Sequence, residues 1–280
     1  MFQRVHKVYQ PHPSLRSFIN NIVIQKVNLD ASLPLPVFPM PPIQEQAIFF
    51  YPYDLVHLQV PNSNKIIQLP RSTIVARNLN RINVIMGYHH LVLKVGFQPG
   101  GLFRLFGIPM KEFGQDEVFN ETAIWVDPEI PSVIEQLQEA YSFEHMITII
   151  QKWLLRKLPL LKNELPIDRA LPAILNKGNI DSIVELASQA CVSTRQLERL
   201  FQQRIGLTPQ HYARLVRFTK AWTLKESNPR CTWTALAHTC GYFDQMHLIR
   251  DFKEFTGSTP SIIEKELKSM PCMLQSEVFH

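Results

Sequence analysis

A stretch of about 50 residues near the end of this 280-residue chain occurs twice, and any fold assigned to the chain has to accommodate the duplication. In the first copy Ile183, Leu186, Ala187 and Ala190 recur at i, i+3, i+4 and i+7, and in the second Trp233, Leu236, Ala237 and Cys240 do the same. Each set makes one apolar helix face. A short turn follows, CVS in one copy and GYFD in the other, and then a second helix is predicted over Ser193 to Ile205 and again over Asp244 to Thr256. Displaced by 51 positions, Leu197 matches Leu248, Arg199 matches Arg250, Phe201 matches Phe252, Gly206 matches Gly257 and Pro209 matches Pro260.

The boundaries follow helix chemistry. Ser182-x-x-Glu185 and Ser193-x-x-Gln196 are capping boxes, and Asp244 is the equivalent cap in the second copy. Gly206 and Gly257 supply left-handed stops, with Pro209 and Pro260 shortly beyond. Each unit, about 180–206 and 230–257, therefore reads as helix, tight turn, helix, an arrangement that places its second helix in the DNA major groove. Between the units, Gln210 to Ser227 has no Gly or Pro and reads as one amphipathic linker helix. About 18 residues make a rod near 27 Å long, enough to set two reading helices roughly one DNA turn apart.

IDSIVELASQACVSTRQLERLFQQRIGLTP followed by WTALAHTCGYFDQMHLIRDFKEFTGSTP resembles the tandem helix-turn-helix domain of the AraC/XylS transcription regulators, over about residues 166–270. The resemblance implies sequence-specific binding to double-stranded promoter DNA by a homodimer, with an N-terminal region that takes a small-molecule effector or mediates association. An activator of this type would also meet RNA polymerase. Three departures from the pattern stand out: Pro172 falls inside the first expected helix, Ile167 to Asn176, which must start late or kink, Asp251 occupies the slot of apolar Leu200, and Met246 puts an apolar side chain on the outer face of the second reading helix.

With Leu197, Leu200 and Phe201 assigned to the core, Arg195, Gln196, Glu198 and Arg199 form the outer face of the first reading helix, with Gln202 and Gln203 beyond. By the family's pattern Arg195, Glu198 and Arg199 point at base edges. The chemistry fits, since Arg reads guanine bidentately and Glu accepts from cytosine. On the second helix the set is Gln245, Met246, His247, Ile249 and Arg250; Gln reads adenine, and Met or Ile contacts a thymine methyl. Ser193, Thr194, Gln202 and Thr232 are assigned to phosphates, on the expectation that they lie near helix N-termini. Residues 166–270 hold 14 Lys or Arg against 10 Asp or Glu, so attraction to phosphate is local and salt-sensitive.

Ahead of this region the composition changes. Residues 1–125 carry short β-branched and aromatic runs, Asn21 to Val27, Gln46 to Tyr51, Lys65 to Leu69 and Leu91 to Phe97, and read as a β-rich, barrel-like sensory or association domain. That segment, KVGFQPGGLFRLFGIP above all, also resembles uncharacterised β-rich domains found ahead of such DNA-binding regions. Five prolines between Leu33 and Pro42 point to an edge strand or loop, with a PxxP ligand as the alternative. Phe97-Gln98-Pro99-Gly100-Gly101 reads as a strand-to-helix turn, since it lacks a P-loop's GK[ST] ending. Residues 126–165 form a helical bridge, and 271–280 a tail. The fold class is thus α+β, with a β-rich domain followed by an all-α domain of two helix-turn-helix units and a linker helix.

Rival readings are a metal-binding β-barrel enzyme using His57, His89 and His90, and a protein-interaction module whose DNA binding is weak or lost. Adjacent His89 and His90 would point to opposite faces of a strand, which disfavours one shared ion. No catalytic residue, cofactor or metal is therefore expected. Cys191, Cys231, Cys240 and Cys272 form no CxxC pair and fit a reducing cytosol, with Cys191 and Cys240 expected as small buried fillers. The opening residues have no apolar segment before a small-residue cleavage site, and no run reaches roughly 18 uninterrupted apolar residues, so a cytoplasmic, non-membrane protein is expected.

Overall fold

A computed structural model describes residues 3–59, 65–76, 79–113, 127–178, 180 and 182–268; the C-terminal tail with Cys272 lies outside the described residues. Among the described residues nine strands come first. Five of them, β1 (Gln3–Tyr9), β2 (Ile19–Asn28), β9 (His89–Phe97), β4 (Ala47–Phe50) and β7 (Ser72–Val75), pair antiparallel in that order. The other four, β3 (Val37–Met40), β8 (Ile82–Ile85), β5 (His57–Gln59) and β6 (Ile66–Gln68), form a second antiparallel sheet. The α+β class with a β-rich first half is as expected, but the barrel is not closed: the two ladders stay separate. Pro39 sits on edge strand β3, opposite Asn83, where a missing N–H does least harm.

Strand β9 is central and buried on both faces, and its alternation sorts two environments. Leu91, Leu93, Val95 and Phe97 turn toward a core shared with Ile22, Ile24, Ile48 and Phe50. Helices α2 (Ile130–Gln138) and α3 (Phe143–Leu155), which occupy the stretch read as a bridge, bury Val133, Ile134, Ile150 and Trp153 in this same core. The opposite face carries His90, Val92 and Lys94, with Lys94 fully buried in an ion pair with Glu45. Gly96 makes that approach possible, because a Cβ there would fall 2.5 Å from Glu45 Oε1. As expected, the FQPGG segment turns from β9 into α1 (Gly101–Phe106), with the Gly101 N–H donating to Gln98 O and Gly100 in the left-handed region.

The second half is all helical: α4 (Pro166–Lys177), α5 (Ile183–Gln189), α6 (Thr194–Arg204), α7 (Pro209–Ser227), α8 (Trp233–Thr239), α9 (Gln245–Thr256) and α10 (Pro260–Lys268). Helix α4 neither starts late nor stops at Pro172; it begins at Pro166, where a missing N–H costs nothing, and runs through. Its Leu165 N–H is capped by Asp168 Oδ2 at 2.8 Å. Both helix-turn-helix units share one core. Linker helix α7 supplies Leu215, Phe218 and Trp222 to it, with Phe218 edge-on to Phe252 at 4.8 Å and Trp222 stacked over the same ring at 5.9 Å. Asp251, the polar residue in an apolar slot, is buried and accepts from Arg214 of α7 at 2.7 and 3.1 Å, so the substitution is matched by a partner.

The turns of the two units are the same in backbone and different in length. Val192 N donates to Ala187 O at 3.0 Å and Tyr242 N to Ala237 O at 2.9 Å, while Cys191 (φ 51°) and Gly241 (φ 77°) take the left-handed position before each. Ala190 and Cys240 are thus the equivalent pair, both buried, and Cys191 is not the buried filler expected but an exposed residue at a glycine position. Cys191→Gly is expected to raise stability by up to about 1 kcal/mol, read as a higher urea midpoint at unchanged m value.

Candidate nucleic-acid interface

Helix α6 starts at a serine cap, where the Gln196 N–H donates to Ser193 Oγ at 3.2 Å. Helix α9 starts at Asp244, whose Oδ1 accepts the His247 N–H at 2.8 Å; that bond holds the carboxyl below its usual range. Ser182 and Thr232 cap the two leading helices in the same way, to the N–H of Glu185 and Ala235. A hydroxyl that accepts a cap bond still has its own proton to donate, so Ser193 and Thr232 remain competent toward a phosphate.

With Leu197, Leu200 and Phe201 buried inside α6, the other predicted readers emerge on its outer face. Arg195, Gln196, Glu198 and Arg199 are all exposed. The side chains of Arg195, Glu198 and Arg199 make no hydrogen bond or ion pair among the described residues, so the guanidinium groups are not committed to neighbouring carboxylates. On α9, Gln245, Met246, His247 and Arg250 are exposed and Ile249 is half-buried. Two of these are already engaged: Gln245 Oε1 accepts from Thr234 Oγ1 at 2.8 Å, and His247 Nδ1 lies 3.0 Å from Asp244 Oδ1. Met246 and Arg250 are left as the outward groups best placed to meet a base edge.

Thr194 and the two capping residues stand at helix starts as expected, but Gln202 does not. It lies in the last turn of α6, half-buried, where the unpaired groups are carbonyls, which repel anions. Any phosphate contact there rests on its side chain alone. His57 is half-buried on β5, whereas His89 is exposed and His90 buried on β9; no group of three His, Cys, Asp or Glu side chains able to hold a metal occurs among the described residues.

Sequence reasoning missed three features. Phe243, 86% exposed, is the residue by which the second turn exceeds the first, and it stands edge-on to His247 at 5.9 Å. The repeat already contained the signal, since its offset is 50 positions before the turn and 51 after it. The other two join the halves of the chain. Gln46 Nε2 donates to Arg204 O at 3.1 Å at the end of α6, and the Arg81 N–H donates to Phe255 O at 3.0 Å near the end of α9. The β-rich half therefore holds the trailing ends of both reading helices and leaves their leading ends exposed.

Residues 186–266 match a helix-turn-helix domain family. The chain is 28% identical over 130 residues to the arabinose operon regulatory protein of Escherichia coli, covering 43% of this chain and 44% of that protein. It is 38% identical over 79 residues to the transcriptional activator RhaS of Klebsiella pneumoniae, 28% of each. The chain thus spans less than half the length of these relatives. A crystal structure of ToxT from Vibrio cholerae with an unsaturated fatty acid bound aligns with 95% of this chain and 100% of its own at 9% identity, with a TM-score of 0.48. Two copies of one capped unit on a shared core, with outward second helices and a matching family, establish residues 186–266 as a helix-turn-helix domain.

Proposed function

We propose that the chain is a sequence-specific transcription regulator that inserts α6 and α9 into successive major grooves of promoter DNA. The observation that carries this is the pair of capped, outward-facing helices, each the second helix of its unit and joined by the single rod α7. Arg195, Glu198 and Arg199 read bases from α6, and Met246 and Arg250 read them from α9, with Gln196, Gln245, His247 and Ile249 beside them. Ser193, Thr194 and Thr232 hold phosphates at helix starts. The protein works in the cytoplasm as a homodimer and meets RNA polymerase if it activates; it performs no catalytic step.

The β-rich half acts as a sensor of a small molecule. Its support is the polar face of the first sheet, where His90, Asn21 and Gln25 are buried and His90 Nδ1, Asn21 Oδ1 and Gln25 Nε2 lack protein partners. Burial pushes the His90 imidazole down to about 4, so it is neutral and able to accept or donate a hydrogen bond at pH 7. Unpaired buried polar atoms of this kind are the usual partners of water or ligand.

Selection of bound sequences from random duplexes tests the main reading: two short blocks about 10 base pairs apart are expected, and a single block or no enrichment overturns it. In the selected site, Arg199→Ala is expected to cost about 1 to 3 kcal/mol and to relax preference at one base pair. Unchanged affinity and base preference, measured by titration of labelled duplexes, would remove Arg199 from the reading set.

A further inference from the structure

A cavity of about 420 Å³ lies between the two halves of the chain, within the range of roughly 300 to 1,000 Å³ that small-molecule sites occupy. One wall is a single stripe of the linker helix: Tyr212, Val216, Thr219 and Thr223 recur at i, i+4, i+7 and i+11. Leu224 and Leu175 of α4 extend it. The facing wall comes from the β-rich half, where Ile43 and Phe97 supply apolar surface and Asn20, Gln44 and Gln98 supply three side-chain amides. The stripe of α7 on the other side of the same helix is the one that packs on Phe252.

We propose that this seam binds a small uncharged organic molecule, with an apolar body against Ile43, Phe97, Leu175 and Val216 and hydroxyl or amide groups toward Asn20, Gln44 and Gln98. The electrostatics favour a neutral guest. Glu45 lines the cavity, but its charge is offset by Lys94 and its Oε1 accepts from the Asn20 amide at 2.9 Å. Lys220, the lining cation, is exposed at the rim, where water satisfies it. Amides offer donors and acceptors equally and hold no net charge.

The position of the cavity gives its occupant a consequence. Gln44 and Glu45 line it, and the next residue, Gln46, makes the bond to Arg204 O at the end of the first reading helix. A guest that fills the seam contacts this segment and α7 together, and so favours the arrangement in which both are seated. The binding itself does not depend on the chain being a regulator; only its effect on DNA rests on that reading.

Saturation-transfer NMR on the full chain, with 4-(hydroxymethyl)benzamide as neutral probe and 4-(hydroxymethyl)benzoate as its anionic counterpart, tests the proposal. The benzamide is expected to bind, and Thr223→Trp, which fills the cavity from its half-buried edge, is expected to weaken it at least tenfold with an unchanged melting temperature. Gln98→Ala serves as a second variant, removing one amide without adding bulk, and is expected to weaken binding about threefold or more. Absence of benzamide binding to the wild-type chain, tighter binding of the benzoate, or undiminished binding in both variants would each overturn the proposal. Duplex titration with and without the benzamide then separates the two readings: a probe that binds in chains that bind no DNA leaves the cavity site standing and removes the regulator.

Discussion

Arg204→Ala is expected to cost about 3 to 5 kcal/mol, the range for removing one partner of a buried ion pair, and to split one unfolding transition into two. The Arg204 side chain is only 1% exposed, its Nη2 lies 3.2 Å from Asp168 Oδ2 and donates to Asn163 O at 3.0 Å, and its guanidinium stacks 4.2 Å over the Phe103 ring. Phe103 belongs to α1, whose neighbouring residues Leu102 and Leu105 lie in the β-rich half's core, while Arg204 ends the first reading helix. One side chain therefore fastens two cores. Burial already raises the Asp168 carboxyl above its ordinary range even with Arg204 beside it, so alanine leaves that carboxylate desolvated with its main cation gone. Urea unfolding followed by tryptophan fluorescence and by circular dichroism gives the result directly. Coincident transitions with a loss under about 1 kcal/mol would show that the two halves are held by other contacts. Arg204→Met with Asp168→Leu, which replaces the pair by apolar groups, is expected to recover most of the loss.

The second large effect is set by pH. Glu226, near the end of α7, is 6% exposed, and burial pushes its carboxyl up to about 7, with the Trp222 side chain opposing more weakly. In the unfolded chain the same group ionises near the ordinary glutamate value of 4.5. Below that pH both states hold the proton and Glu226 costs nothing. Between the two values the unfolded chain releases its proton and the folded chain does not, so stability falls as pH rises. Above about 7 the whole cost is present, at most about 3 kcal/mol from the size of the shift. Glu226→Gln is therefore expected to stabilise by about 1 to 3 kcal/mol at pH 8 and by nothing at pH 4. Melting temperatures of both proteins across that range provide the check, and a difference that does not change with pH would refute the assignment.

How much of this was legible in the sequence depended on the range of the forces involved. The caps at Ser182, Ser193 and Asp244, the left-handed stops at Gly206 and Gly257 and the apolar stripes are local, because each is decided by residues within one turn. They appeared where expected, and with them the outward placing of Arg195 and Arg199. What failed needed non-local information. Helix α4 opens at Pro166 and carries Pro172 in its interior, a starting point and a tolerance that the run Ile167 to Asn176 does not encode. The openness of the β-sheets depends on which strand ends meet, and nothing in the short β-branched runs fixes that. Gln202 is the exception, because the predicted helix over Ser193 to Ile205 already places it near the end. The ties of Gln46 and Arg81 to the reading helices link positions 158 and 174 residues apart, and no periodicity reports such a pairing.

The inserted Phe243 gives the chain a direction. Two identical units in one chain would recognise a direct repeat and would have no means of telling which half they occupied. Here the first unit offers two arginines and a glutamate, and the second offers Met246 and Arg250 behind an aromatic ring with no counterpart. On the proposed reading the halves of a target site differ, and reversing such a site along a promoter turns the whole protein around with it.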